Sequence, residues 1–266
     1  MSAAPASLRT HVRRRSDLHP THHVEQVERL LAQGMNDCQI SRWTGIPRTT
    51  VRDWRRRGAP GGSRLRRAAE VDCPRCGNQL LEDEAAYAYL LGLYLGDGCI
   101  SEDPRTYRLR IFLDARYPGI IEDAKRAVSA MRPTKRTRIS VVDRVGWLEL
   151  VSYWQHWPCL FPQHGPGKKH LRPICLVQWQ DDVVAGHPHM LLRGLIHSDG
   201  YRGINRVKGT GYPRYMFTNS SADIRRIFVE ACDRFGVRCR QNRWNSISVA
   251  RRPDVARLDE VIGPKV

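Results

Sequence analysis

Two nine-residue segments of this chain share one pattern. Leu90-Leu91-Gly92-Leu93-Tyr94-Leu95-Gly96-Asp97-Gly98 and Leu192-Arg193-Gly194-Leu195-Ile196-His197-Ser198-Asp199-Gly200 both read L-x-G-L-x-x-[small]-D-G, with the aspartates 102 positions apart. Each closes an amphipathic helical stretch, the first from near Glu84 and the second from near His189. A glycine in mid-helix costs about 1 kcal/mol relative to alanine, so two at matching positions need a common cause. Close contact between the two helix backbones is one, because neither glycine puts a side chain in the way. Helices packed like this bring Asp97 and Asp199 together at their ends. Two carboxylates that close repel unless a cation lies between them. The pair is therefore expected to form a hard-metal site suited to Mg²⁺. The plainer alternative is that each Asp-Gly merely ends a helix.

The segments after each motif repeat as well. After Asp97, residues 107–113 alternate, with Arg108 and Arg110 on one face and Leu109, Ile111 and Leu113 on the other. A helix over 117–131, strands near 137–142 and 147–153 and a short helix follow, ending at Gly165-Pro166-Gly167-Lys168-Lys169. After Asp199 come strands near 202–208 and 214–218, a helix over 222–235, strands near 237–241 and 246–250, and a helix over 253–262 before Gly263-Pro264-Lys265. Each half is expected to be αββαββα, giving an α+β fold with one repeat over 82–180 and the other over 181–266. Arg136 and Arg138 in the first half match Arg238 and Arg240 in the second. With Arg108, Arg110, Arg202 and Arg214 they describe sheets that lie basic side down on DNA, with helices at their backs.

Taken together, residues 82–266 resemble the LAGLIDADG homing endonuclease family in its single-chain, two-repeat form. The resemblance implies a saddle of two four-stranded sheets straddling double-stranded DNA, with the motif helices at a pseudo-twofold axis and the protein a monomer. It implies that Asp97 and Asp199 bind divalent metal and that Gly96 and Ser198 lend it backbone carbonyls. Activated water then cleaves one phosphodiester in each strand. The basic residue beside each scissile phosphate would be Lys168 or Lys169 in the first repeat and Lys265 in the second. Many members carry a further acid two residues before the metal-binding aspartate; here those positions are Leu95 and His197. The alternative function is a DNA-binding regulator that keeps the saddle without cleavage.

Charge narrows the class of partner. The chain holds 44 Lys and Arg against 27 Asp and Glu, a net charge of +17, and a polyanion would relieve that self-repulsion. Residues 1–70 are the most basic, with 14 arginines, no lysine and 6 acids. Residues 1–20 read as a disordered basic arm and 59–72 as a flexible linker, introduced by Gly58-Ala59-Pro60-Gly61-Gly62-Ser63. Between them, over 21–58, Val24, Val27, Leu30 and Leu31 share a helical face and Gly34 stops the helix. Asn36 caps a second helix carrying Ile40 and Trp43, Thr44 to Pro47 turn the chain, and Arg48 to Arg57 form a third helix with Val51 and Trp54 inward. This unit resembles the homeodomain-like helix-turn-helix family. The resemblance implies that Arg48, Thr49, Thr50, Arg52 and Asp53 face the major groove and that Arg55, Arg56 and Arg57, a run with no opposing acid, clamp phosphates. A generic three-helix bundle with a solvated basic face is the alternative.

The longest apolar stretch, Ala85 to Leu95, is too short to span a bilayer, and the first fifteen residues lack the apolar region of a secretory signal. No membrane partner and a cytoplasmic location are expected, so the cysteines should be thiols or metal ligands rather than disulfides. Cys73-Pro74-Arg75-Cys76-Gly77, at the start of a knuckle over 73–81, has the spacing of a zinc half-site. A structural Zn²⁺ needs four ligands, and Cys38, Cys99, His156, Cys159 and His164 are scattered along the chain. A zinc site, a remnant without metal and two plain thiols all stay open.

Overall fold

The structure, a computed structural model, describes residues 21–57, 73–75, 81–104, 106–131, 138–263 and 265, with side chains in the first span from Gln26 to Arg56. The expected arm, the linker, Cys76, Arg136 and the side chains of Val24 and Arg57 lie outside the described residues. The chain divides into two compact units, Met1–Val71 and Asp72–Val266.

In the first unit, α1 (Thr21–Ala32), α2 (Asp37–Thr44) and α3 (Arg48–Arg57) form the helix-turn-helix. The Asn36 side chain accepts from the backbone N–H groups of Cys38 and Gln39, while Gln39 reaches back to the Asn36 N–H, a reciprocal capping box. Gly45 ends α2 at φ 72°, a left-handed conformation that favours glycine and turns the chain into α3. Val27, Ile40, Ile46, Val51 and Trp54 make the core. Trp43 is 71% exposed, so the eight-residue α2 buries only Ile40.

The second unit is α+β and contains αββαββα twice. The first copy is α4 (Glu84–Asp97), β1 (Gly98–Asp103), β2 (Thr106–Asp114), α5 (Pro118–Ala130), β3 (Ile139–Arg144), β4 (Trp147–Tyr153) and α6 (Trp157–Leu160). A connecting helix, α7 (Gln178–Gly186), leads to the second copy: α8 (Pro188–Asp199), β5 (Gly200–Val207), β6 (Thr210–Thr218), α9 (Ala222–Phe235), β7 (Arg240–Arg243), β8 (Ser246–Val249) and α10 (Arg252–Ile262). The sheets are antiparallel with matching orders, β1-β2-β4-β3 and β5-β6-β8-β7. The repeat implies the strand β1 without assigning its residues, because Gly-Cys-Ile-Ser-Glu-Asp has low β-propensity and is held by pairing with β2. Nor did periodicity reveal α7.

The motif helices are the centre of this unit. Tyr87 to Leu95 of α4 are buried on every side, as expected of a helix enclosed by protein. A methyl group on Gly92 would lie 2.6 Å from the Leu191 carbonyl oxygen and 2.8 Å from Gly194 Cα; one on Gly194 would lie 2.2 Å from the Tyr89 carbonyl oxygen. The helices therefore touch backbone to backbone. Gly98 and Gly200 are extended, at φ −96° and −118°, and each opens a strand rather than a left-handed turn. Crowding excludes a side chain there too: a Cβ would lie 2.5 Å from Tyr94 Cα at Gly98 and 2.6 Å from Ile196 Cδ1 at Gly200.

Gly92→Ala and Gly194→Ala should each destabilise the protein by about 1–3 kcal/mol or more despite alanine's higher helix propensity, because the clashing atoms are backbone. Gly186→Ala, at a helical glycine with no atom within 4 Å of the added methyl, is the control and should be neutral or slightly stabilising. Urea unfolding of the three variants measures the contrast.

Candidate active site

Asp97 and Asp199 are the last residues of α4 and α8, and the helix contact makes the two ends meet. A Cβ on Gly96 would stand 2.1 Å from Ser198 Oγ and 3.2 Å from Asp199 Cγ. Burial and then the charge of Asp97 push the Asp199 carboxyl up to about 6, against a hydrogen bond from Asn219 and the charges of Lys169 and Lys265. Burial raises Asp97 as well, opposed by the same two lysines.

Each helix end holds a lysine. Lys169 Nζ donates to the carbonyls of Tyr94, Leu95 (2.9 Å) and Gly96 (2.8 Å), the negative end of α4. Lys265 Nζ does the same for α8, donating to the carbonyls of His197 (3.1 Å) and Gly200. The structure thus pairs Lys169 with Lys265, while Lys168 is exposed. Burial pulls Lys169 down to about 8, with Asp199 and Asp97 acting the other way. A cavity of about 640 Å³, lined in part by Tyr94, His164, Lys168, Lys169 and Arg172, opens on one side. One of about 230 Å³, lined in part by Asp97, Tyr117, Tyr201 and Lys265, opens on the other.

The Gly96 carbonyl, one of the two expected to face a cation, accepts a hydrogen bond from Lys169. The Ser198 side chain turns back onto its own helix, Oγ donating to the carbonyls of Gly194 (3.0 Å) and Leu195 (3.1 Å). The donors that fit Mg²⁺ are the two carboxylates, hard oxygens at which waters complete the shell. Asn219, just past β6, was missed by the sequence reading; its side-chain amide donates to Asp199 Oδ2 at 2.5 Å. The motif's His197 is structural. Its Nε2 faces the Ile262 carbonyl at 3.2 Å and so carries the proton, leaving Nδ1 to accept from the Tyr89 hydroxyl at 2.9 Å. Burial, with Arg193 and Lys265, pulls this imidazole down to about 4 and keeps it neutral.

Strand register sorts the arginines by face. Leu109 and Ile111 are buried against the helices, so Arg108 and Arg110 face outward, with Arg144 opposite Trp147 on the same face. Arg138 is exposed one residue ahead of β3. Arg110 is partly neutralised by Glu149, which it holds below the usual carboxylate range. In the second sheet Tyr215 and Phe217 are buried, which turns Arg214 outward, and Arg240 and Arg243 share its face through Ser248 and Ser246. Arg202 pairs in register with Tyr215 and so lies on the helix side, bound to Asp259 at 2.6 and 2.9 Å. That corrects its expected place on the basic face. Arg238 precedes β7 and is exposed, its backbone N–H donating to Asp254. In the first unit Arg48, Thr49, Arg52, Asp53 and Arg56 are exposed and Thr50 half-buried. Arg55 meets Asp37 at 3.1 Å and donates to the Met35 carbonyl at 2.8 Å, so an acid does oppose part of the arginine run.

Residues 27–61 match the family of homeodomain-like domains. No curated protein matches the chain. Among solved structures, I-DmoI in complex with DNA and Mn is 14% identical, with 69% of this chain and 99% of that one covered at a TM-score of 0.46. The homing endonuclease I-WcaI bound to its DNA recognition sequence is 14% identical, with 71% and 85% covered and a TM-score of 0.45. The N-terminal LAGLIDADG domain of DUF199/WhiA is 13% identical, with 75% and 91% covered and a TM-score of 0.43. The structural neighbours of this chain are LAGLIDADG proteins.

The contrast between the two lysines of the first αββαββα repeat can be measured. Lys169→Met should cost about 1–2 kcal/mol, because three helix-end carbonyls lose a charged donor. Lys168→Met should stay within about 0.5 kcal/mol of the parent, as for other exposed positions. Denaturant midpoints at neutral pH distinguish them.

Proposed function

We propose that this protein binds double-stranded DNA at specific sites and cleaves phosphodiester bonds with Mg²⁺ held by Asp97 and Asp199. The observation that carries the reading is the meeting of two largely buried aspartates at the ends of helices packed backbone to backbone. Clustering two acids costs stability at neutral pH, and a protein that only bound DNA would gain nothing by setting them against phosphates. A divalent cation there would supply Lewis acidity, a bound water more acidic than bulk water and stabilisation of the departing 3′-oxygen. The chain's own residues do the rest. Asn219 orients the Asp199 carboxylate, and Lys169 and Lys265 place positive charge beside the acids, where a scissile phosphate would lie. Arg108, Arg110 and Arg144 on one sheet, and Arg214, Arg240 and Arg243 on the other, hold the flanking backbone. The helix-turn-helix adds a major-groove contact through Arg48, Thr49, Thr50 and Arg52.

A regulator that binds without cutting is the second reading. It is favoured by the helix-turn-helix and by the bond from Lys169 to the Gly96 carbonyl, which sets a lysine charge at one of the expected metal oxygens.

The test is incubation of the full chain with a large randomised duplex library. The nuclease reading expects discrete cuts with Mg²⁺ or Mn²⁺ and a bound, uncut complex with Ca²⁺. Asp97→Asn and Asp199→Asn should each abolish double-strand cutting while binding is kept or tightened, since a charge facing phosphate is removed. Cutting that survives both substitutions would sink the site assignment; a bound sequence with no metal-dependent cut at any site would favour the regulator. Removal of residues 1–71 should make affinity less steeply dependent on salt and narrow the footprint. An unchanged footprint would give the first unit a different task.

A further inference from the structure

Three side chains of metal-ligand type cluster apart from the aspartate pair. Cys73, at the start of the second unit and fully buried, comes together with His156, the residue before α6, and Cys159 within that helix. One donor atom from each, two thiol sulfurs and an imidazole nitrogen, lies within 4.8 Å of the others. Cys159 Sγ stands 3.7 Å from His156 Nδ1. Zinc–sulfur bonds of ~2.3 Å and zinc–nitrogen bonds of ~2.0 Å at tetrahedral angles put neighbouring donors ~3.5–3.8 Å apart. That pair is already at coordination spacing, and a small contraction brings in the third donor.

We propose that Cys73, His156 and Cys159 are ligands of a structural Zn²⁺. Soft thiolates with an imidazole select zinc over magnesium, so this site does not compete with the carboxylates for the same ion. The surroundings suit a structural centre. The imidazole ring lies edge-on to Trp154 at 5.3 Å, and Trp154 packs in turn on the fully buried Trp157, whose indole N–H donates to the Ser152 carbonyl at 3.0 Å. A closed site needs a fourth donor. The placement of these three does not depend on which group supplies it.

Such a zinc joins segments more than eighty positions apart. It fastens the beginning of the second unit to the helix that follows the first sheet. Arg75 lies between the two cysteines of the C-x-x-C sequence and stacks over the Trp179 ring at 4.5 Å, a second attachment of the same segment.

The test is elemental analysis of the full chain purified without chelators. One zinc per chain is expected, lost in Cys73→Ser, His156→Ala and Cys159→Ser and kept in Cys175→Ser, whose thiol is exposed elsewhere. Asp97→Asn should keep it too, so this result stands or falls apart from the nuclease reading. Because a ligand variant may not fold, the parent protein supplies a second measurement. Cobalt added to the chelator-stripped chain should give the visible and near-ultraviolet bands of a thiolate-ligated tetrahedral ion, and an equimolar amount of zinc should erase them. A folded parent that holds no zinc and gives no such bands would overturn the proposal. So would zinc retained in all three ligand variants, or a Cys73–Cys159 disulfide in protein isolated under reducing conditions.

Discussion

The contact between Gly92 and Gly194 is the constraint on which the second unit depends. Each glycine gives up about 1 kcal/mol of helix propensity, and in return two helices approach until carbonyl oxygens and Cα atoms touch across the seam. The approach buries α4 on every side and lets each motif helix serve as the inner wall for its own sheet. It also brings the two helix ends together, which turns two ordinary terminal aspartates into a pair. Without that seam there would be two αββαββα modules and no shared centre.

The electrostatics follow from this crowding. Two carboxyls removed from water at the negative ends of two helices form an unfavourable cluster, which is why Asp199 rises to about 6. Lys169 and Lys265 answer two problems at once: they cap the helix-end carbonyls and place positive charge beside the acids. The compensation is not symmetric. Asn219 binds Asp199, whereas strand register sets Leu113 at the corresponding position of the first repeat.

Much of this was legible in the sequence because it depends on local rules. The spaced glycines foretold the seam, Asn36 and Gly45 mark their helix ends by capping chemistry, and the apolar period of Ala222–Phe235 gives that helix its observed bounds. What stayed hidden is tertiary. The faces of β5 could not be assigned because its apolar residues Tyr201, Ile204 and Val207 fall on both faces, so Arg202 was placed on the wrong side. β1 exists because β2 pairs with it. Asn219 carries no pattern that connects it with an aspartate twenty residues earlier. Cys73, His156 and Cys159 become neighbours only when the chain after the first sheet returns to the start of the unit.

The two outward sheet faces are built alike but furnished differently. The first sets its arginines beside Phe112 and Trp147; the second sets Arg214, Arg240 and Arg243 beside Tyr201 and Met216. Because both repeats belong to one chain, nothing requires the faces to match, as it would in a dimer of identical subunits. A rotation that exchanges the halves keeps the order of strands and alters the chemistry. Anything long enough to lie along both faces therefore meets a surface with a front and a back, and can be held in one direction but not in reverse.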